Sequence, residues 1–359
     1  MGFRCGMVGL PGCGKTTIYN AITAAGAAGF GAEEAHRAVV NVPDERIQPL
    51  VDLYDSAKTV PATVEVVDIP GLKAGSAAGE GRGSKLLGHI KDVDALLHVV
   101  RCFDDPIIPY EEETAAPARD VETIDLELMI ADARTLGNKI ERLAKRARTG
   151  DADAKRELAD CEAVKAALEE GVPARRQDLS EQALGSIYEC NLASLKPVLY
   201  VGNIKEAADR ENAYVAALRA IAEEEGAEMI LVHGRDEAEI SELPEEDREV
   251  FLQELGLEST SAERLIRAGY RLLGLVNFFT AGPKEVHVWT VAEGTHAPQA
   301  AGRIHSDMEQ GFIRMEVIRY EDLMEHGSEA AVAKAGRQRI EGKDYVVRDG
   351  DIVVVRFNK

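Results

Sequence analysis

The chain has 359 residues, enough for two or three domains with their own cores, and 45% apolar with 29% charged residues describes a soluble globular protein. No apolar run approaches the ~20 residues of a membrane-spanning helix, so no membrane role is expected. A net charge of −21 argues against a general attraction to nucleic acid, and the five scattered cysteines, with no C-x-x-C pair, suit a reducing cytoplasm and offer no zinc site. The N-terminus has one arginine and then a glycine loop, which is not the pattern of a signal peptide.

Phe3–Val8 reads as a short buried strand and Thr16 to Ala25 as a helix. Between them Gly9-Leu10-Pro11-Gly12-Cys13-Gly14-Lys15-Thr16 fits the G-x-x-x-x-G-K-[ST] phosphate loop without a mismatch. Strand, glycine loop and helix aim backbone N–H groups and a helix N-terminus at a polyphosphate. The glycines permit positive φ and close backbone approach to oxygens, so Pro11, Gly12, Cys13 and Gly14 are candidate phosphate contacts. Lys15 supplies a point charge to the β- and γ-phosphates and is a candidate catalytic group. The Thr16 hydroxyl is placed to ligate Mg2+, and Thr17 is either a further contact or a plain helix residue.

Thr63–Asp68 is the next strand, and it runs into Asp68-Ile69-Pro70-Gly71. A bare D-x-x-G is common. After an apolar strand downstream of a phosphate loop it is specific: Asp68 would hold Mg2+, usually through water, and the Gly71 N–H would meet the γ-phosphate. The stretch from Gly71 to Gly83 is dense in glycine, as suits a segment that orders on a γ-phosphate. Leu72 stands where a small GTPase carries its water-orienting Gln. Leucine cannot orient water by hydrogen bonding, so intrinsic hydrolysis is expected to be slow or to use another group. Glu80, His89 and His98 lie nearby, each simplest to read as structural.

Asp94–Val100, Pro197–Gly202 and Glu228–Val232 complete five probable parallel strands, the pattern of an α/β fold whose ligands sit beyond the carboxyl ends of the strands. From about 121 to 192 the alternation stops. Ile124, Leu128, Leu136, Ile140, Leu143 and Ala147 form a helical stripe, Thr149-Gly150-Asp151 is a turn, and a second helix runs to about Glu170, giving an inserted helical hairpin. From Arg134 to Arg156 eight basic residues (Arg134, Lys139, Arg142, Lys145, Arg146, Arg148, Lys155 and Arg156) stand against three acids, Glu141, Asp151 and Asp153. That cluster is either a solvated helix face or an RNA or ribosome contact. From Asp236 to Glu254 the balance reverses, with nine acids and one arginine.

Asn203-Ile204-Lys205-Glu206 follows the fourth strand, where a guanine-specific site wants Asn-Lys-x-Asp. Glu206 is one methylene longer than the Asp that would pair with guanine N1–H and the 2-amino group, so specificity should shift toward adenine. His233 and Gly234, after the fifth strand, are placed to close the other side of the base. Past about 275, Glu285–Val291, Phe312–Ile318 and Asp351–Phe357 alternate in strand fashion, a small strand-rich C-terminal domain.

Further motifs run in order along the chain: Val42-Pro43-Asp44-Glu45-Arg46, Gly79-Glu80-Gly81, His98-Val99-Val100-Arg101-Cys102-Phe103-Asp104-Asp105, Phe279-Thr280-Ala281-Gly282, Ala297-Pro298-Gln299-Ala300-Ala301-Gly302, Gly342-Lys343-Asp344-Tyr345 and Asp349-Gly350-Asp351. With the opening loop and Asp68–Leu72 they resemble the YchF family, the Obg-like ATPases, from Met1 to Lys359. The resemblance implies an α/β P-loop NTPase domain (1–275) with an inserted α-helical coiled-coil hairpin (about 121–192), and a small C-terminal β-grasp, or TGS, domain (276–359). It implies ATP with Mg2+ despite a GTPase ancestry, a hydrophobic residue in place of the catalytic Gln, and a cytoplasmic role on ribosomes, in translation or stress control. Ribosome or ribosomal RNA or protein would be met through the basic hairpin and the TGS domain, with no sequence-specific DNA binding.

Two places depart from the family. Gly12, Cys13 and Thr16 replace Asn, Val and Ser; Thr keeps the metal hydroxyl, and Cys13 is a thiol at a helix N-terminus, either redox-sensitive or buried and inert. The first switch block corresponds to Gly29-Phe30-Gly31-Ala32-Glu33-Glu34-Ala35-His36, with Ala32 where the family has Thr. A hydroxyl contact to Mg2+ or γ-phosphate is lost there, and Glu33 and Glu34 bring negative charge. A slow ATPase is therefore the leading reading. The alternatives are a nucleotide-regulated ribosome- or RNA-binding module with negligible hydrolysis, and a GTPase.

Overall fold

In the computed structural model of the chain, the described residues are 3–24, 36–71, 75, 82–108, 110, 114–233, 240 and 259–358. They fall into two compact units, Met1–Val40 with Glu65–Gly269, and Asn41–Val64 with Tyr270–Lys359.

The first unit is built on β1 (Phe3–Val8), β2 (His36–Asn41), β4 (Thr63–Asp68), β5 (Ala95–Arg101), β6 (Val198–Ile204) and β7 (Met229–His233), in the order β2-β4-β1-β5-β6-β7. β1, β5, β6 and β7 are parallel, with Val8 opposite His98, Val100 opposite Gly202 and Ile204 opposite His233. All seven residues of β5 and of β6 are buried, as expected of central strands covered on both faces. Helices α1 (Lys15–Ala24), α3 (Arg82–Lys91), α4 (Pro117–Ala147) and α7 (Ala213–Glu225) accompany the sheet. The five expected strands are present. β2 was not anticipated: it is an edge strand with Ala38 and Val40 buried but Val39 58% exposed, too short an alternation to stand out.

α4 begins at Pro117, a residue preorganised for a first helical turn. It serves two cores. Val121, Ile124 and Leu128 pack into the sheet cluster with Val100, Val198 and Tyr200. Met129, Leu136, Leu143 and Ala147 pack instead with Ala154, Cys161, Val164 and Leu168 of α5 (Ala152–Glu169). The stripe read as one hairpin face is thus divided between sheet and hairpin. At the turn Gly150 has φ +92°, and the Asp151 carboxylate accepts the Ala154 N–H at 3.0 Å, capping α5. One member of the expected basic surface is corrected: Lys139 is buried, donating to the Ser186 carbonyl at 2.6 Å, because it holds the hairpin to α6 (Glu181–Ile187). Arg146 pairs with Asp151 and Arg156 with Asp153.

The strands of the second unit are β3 (Thr59–Val60), β8 (Leu275–Ala281), β9 (Val286–Ala292), β10 (Phe312–Arg319), β11 (Arg339–Glu341) and β12 (Asp351–Phe357). They form one sheet in the order β11-β10-β12-β8-β9-β3, and α2 (Ile47–Tyr54) belongs to the same unit. The core holds Phe278, Met315, Val317 and Val353 with Ala297, Ala300 and Ala301 of the helix Ala297–Ile304. Residues 41–64, expected from the sequence in the first domain, group here for two physical reasons. β3 pairs in parallel with β9, Thr59 opposite Val286. Arg46 donates to Asp44 at 2.8 Å and to Asp349 at 2.6 Å, while Asn277 donates to Asp44 at 3.1 Å. Arg46 also lies 5.0 Å over the Phe279 ring.

Candidate functional site

The phosphate loop leaves β1 at Val8 and enters α1 at Lys15. Gly12 and Gly14 sit at φ +78° and +94°, backbone that side-chain-bearing residues rarely adopt. At Gly14 a Cβ would also lie 2.0 Å from the Asn203 amide nitrogen. That amide donates to the Cys13 carbonyl at 2.9 Å, so the end of β6 grips the loop from behind. The Gly14 carbonyl accepts the Ile18 N–H at 3.0 Å and starts the helix, so the loop carries straight into an N-terminus with anion-seeking donors.

Three side chains converge in front of this turn. Lys15, 8% exposed, places Nζ 3.3 Å from Asp68 Oδ1. The Thr16 hydroxyl donates to Asp68 Oδ2 at 3.3 Å. Asp68 is itself buried at the end of β4, and its Oδ1 has no hydrogen-bond partner despite the nearby ammonium. Gly71 packs against the loop: a Cβ there would lie 3.2 Å from Pro11. Pro11, Gly12, Gly14, Lys15, Thr16, Asp68 and Gly71 are therefore brought together. A hydroxyl beside a carboxylate with a spare oxygen fits Mg2+, a cation that takes few protein ligands and shares its shell with phosphates and water. No group of three or more His, Cys, Asp or Glu able to hold a metal is found among the described residues, so an all-protein metal cage is not offered there.

The base end is built differently. Ile204 is 2% exposed and its side chain packs in the sheet core. Glu206 is exposed, and its carboxylate caps the short turn Ala207–Glu211 by accepting the Asp209 N–H, while Asp209 accepts the Glu206 N–H at 3.0 Å. Lys205 pairs with Asp105 at 3.1 Å, joining the loops after β6 and β5. His233 is buried at the end of β7, and Thr17 is exposed on α1. Gly234, Leu72, Glu80, Ala32, Glu33 and Glu34 lie outside the described residues.

Two chemical expectations are settled by burial. Cys13 is 1% exposed, and loss of hydration pushes its thiol up to about 11, against the lowering effect of Lys15; it is the inert thiol of the two readings. His98 is buried beside Tyr200, its ring centre 5.7 Å away. Burial, and then the Arg175 charge, lower it to about 3, so it stays neutral and cannot serve as a base near pH 7.

The sequence reading missed Arg101. Buried at the end of β5, it donates to the carbonyls of Phe103 (3.0 Å), Asp105 (3.1 Å) and Ile108 (3.3 Å). Its guanidinium lies 4.7 Å over Phe103 and 4.8 Å over Tyr110. It fixes the loop after β5; the signal was an arginine closing an otherwise apolar strand.

Two family models match. One, YchF-GTPase_C, described as a protein of unknown function, covers residues 275–358, and the other, a 50S ribosome-binding GTPase (MMR_HSR1), covers 4–139. The chain is 46% identical over 362 residues to the ribosome-binding ATPase YchF of Haemophilus ducreyi, with all of both chains covered. The chain belongs to the YchF family. The YchF relative of Bacillus subtilis, also called a ribosome-binding ATPase, is 44% identical over 365 residues with full coverage of both chains. A solved structure titled as the YchF GTPase of Schizosaccharomyces pombe superposes with a TM-score of 0.86 at 34% identity, covering 99% of this chain and 97% of that one. YchF architecture therefore extends over both units, the P-loop domain and the C-terminal domain alike.

Proposed function

We propose that this chain is a Mg2+-dependent ATP-binding protein and slow ATPase whose nucleotide state is read by the ribosome. The observation that carries the reading is the convergence of Lys15, Thr16 and Asp68 in front of a backbone turn forced by Gly12 and Gly14. The loop N–H groups and Lys15 would hold the β- and γ-phosphates, with Lys15 exchanging part of its attraction to Asp68 for phosphate oxygens. The Thr16 hydroxyl and, through water, Asp68 would hold Mg2+, which would neutralise charge on the phosphates. Gly71 lies against Pro11, and its N–H would donate to a terminal phosphate.

Adenine is favoured over guanine because the Glu206 carboxylate is engaged as a helix cap and is too long for the guanine clamp. Hydrolysis is slow because Leu72 cannot orient water and Ala32 offers no hydroxyl. The relatives' names support the ribosome as partner and hence a cytoplasmic setting. The exposed arginines and lysines of the hairpin, Arg142, Lys145, Arg148 and Lys155 among them, are the proposed contact, with the C-terminal unit, read as TGS-like, as a second. The domain reading stays 1–275 for the nucleotide part and 276–359 for the TGS part, beside compact units that group Asn41–Val64 with Tyr270–Lys359.

A second reading, nucleotide-controlled binding with negligible hydrolysis, is favoured by Ala32 and Leu72. Single-turnover phosphate release with and without ribosomes separates the two: release that depends on Lys15 supports the ATPase, and none in either condition supports the binding module. Competition of ATP and GTP for a fluorescent nucleotide tests the base; a clear preference for GTP would overturn the adenine reading. Arg142→Glu with Arg146→Glu is expected to weaken ribosome co-sedimentation and flatten its salt dependence.

A further inference from the structure

A cavity of about 420 Å3 opens along the edge of the first unit's sheet, within the roughly 300–1,000 Å3 of small-molecule sites. β7 is the last strand of that sheet. Met229 stands opposite Tyr200, and His233 opposite Ile204. The cavity is lined by residues from Met229 to Leu231, the early half of β7. The candidate nucleotide residues follow the late ends of the strands, so this is a different place on the sheet.

Its apolar side comes from α7, β7 and the turn between them, through Ala222, Ala227, Met229 and Leu231. Ile230 and Val232 of β7 are buried, whereas Met229 and Leu231 are half-buried, with surface turned to the cavity. Gly226 ends α7 at φ +63°, and the Ala227 N–H donates back to the Ala222 carbonyl at 2.8 Å, which fixes the turn. The polar side is made by arginines from three elements: Arg210 of the turn Ala207–Glu211, Arg219 of α7 and Arg264 of the helix Ser261–Leu272. Glu223 is the acid among the lining residues. In a chain of net charge −21, three guanidinium groups around one cavity run against the background. Arg264 has a structural task, donating to the Leu231 carbonyl at 3.3 Å and to the Ser261 hydroxyl at 2.7 Å. The other two have little. Arg219 lies 3.7 Å from Glu211, whose side chain is 83% exposed, a pair that solvent weakens. The Arg210 guanidinium makes no hydrogen bond or ion pair among the described residues.

We propose that this cavity is a second ligand site, which takes a small organic phosphate. Arg210 and Arg219 hold the phosphate oxygens, and the apolar body of the ligand rests on Met229 and Leu231. Guanidinium is planar, presents paired N–H donors that match phosphate oxygens, and keeps its charge at any physiological pH. Like charges around one cavity repel one another, and a bound anion offsets that repulsion. A phosphate monoester carries about −1.5 to −2 charge at neutral pH, so it answers two guanidinium groups better than a single carboxylate does.

The test is a calorimetric titration of the full chain with phenyl phosphate, in saturating Mg·ADP. Arg210→Gln and Arg219→Gln are each expected to weaken binding by about tenfold, the loss of one charge-assisted contact. Inorganic phosphate, without the apolar body, should bind at least about tenfold more weakly than phenyl phosphate. Phenylacetate, which carries a single carboxylate beside the same ring, separates the two anion classes and should also bind more weakly. Lys15→Ala should leave phenyl phosphate affinity within about twofold, as expected of separate sites. A larger loss would put the probe in the phosphate loop and overturn the proposal. So would no binding of phenyl phosphate, equal binding of phenylacetate, or binding that neither Gln variant alters. If a variant does not fold, methyl NMR of the unaltered chain decides: the Met229 and Leu231 methyl resonances should shift with the probe, and unmoved resonances overturn the proposal. This site can fail with nucleotide binding intact, and the nucleotide function can fail with this site intact.

Discussion

The two ends of the candidate nucleotide site are made by different means. At the phosphate end the chemistry resides in backbone shape: left-handed glycines, a helix start, and Lys15 and Thr16 held against Asp68. At the base end the side chains that the motif would assign to recognition already have structural work, Asn203 on the Cys13 carbonyl, Ile204 in the core and Glu206 on a helix cap. The contrast teaches that a motif specifies phosphate binding far more tightly than base identity, because the first depends on φ angles that few sequences permit and the second on which polar groups remain available.

The largest effect should come from the phosphate end. Lys15→Ala removes the only side-chain ammonium in the loop and is expected to weaken Mg·ATP binding by about 100-fold or more, measured by titration. Next is Gly14→Ala, which places a Cβ in a positive-φ turn 2.0 Å from the Asn203 amide. A loss of about 2–4 kcal/mol in denaturant-derived stability is expected, together with loss of nucleotide binding. If Gly14→Ala bound ATP normally, the backbone origin of the phosphate end would fail.

The base end should respond weakly. Glu206→Gln keeps a carbonyl to cap the Asp209 N–H, so it should cost no more than about 1 kcal/mol. The ratio of ATP to GTP affinity should stay within about twofold, because a carboxylate engaged as a cap does not read the base. A large swing toward either nucleotide would erase the contrast between the two ends.

The sheet between the ends carries a pH signature of its own. His98 is held neutral by burial and by the Arg175 charge, and titrates at about 3 when folded against 6.5 when not. Between those values the unfolded chain binds the proton and the folded chain does not, so stability is complete above 6.5 and falls as pH drops, by up to about 1.4 kcal/mol per pH unit. Urea unfolding of His98→Phe should show a shallower fall across pH 6.5 to 4 than the unaltered chain.

The sequence made the phosphate end legible almost residue by residue, since glycine, lysine and threonine at those spacings have few other uses. Strands β1, β4, β5, β6 and β7 were legible because buried parallel strands are short apolar runs. The edge strand β2 was not, with one exposed valine between two buried residues. The assignment of residues 41–64 to the second unit could not be read locally either, because it depends on Arg46 meeting Asp349 and on Thr59 meeting Val286, partners more than 200 residues away. Arg175 was missed for a related reason. An arginine on a long helical insertion reads as solvated until its buried partners are known.

Whether the loop holds a polyphosphate is decided by a calorimetric titration of the full chain with Mg·ATP, Mg·ADP and AMP. If main-chain donors and Lys15 hold the β- and γ-phosphates, ATP and ADP bind while AMP binds at least about 100-fold more weakly. AMP binding as tightly as ATP, or no heat with any of the three, would contradict that assignment.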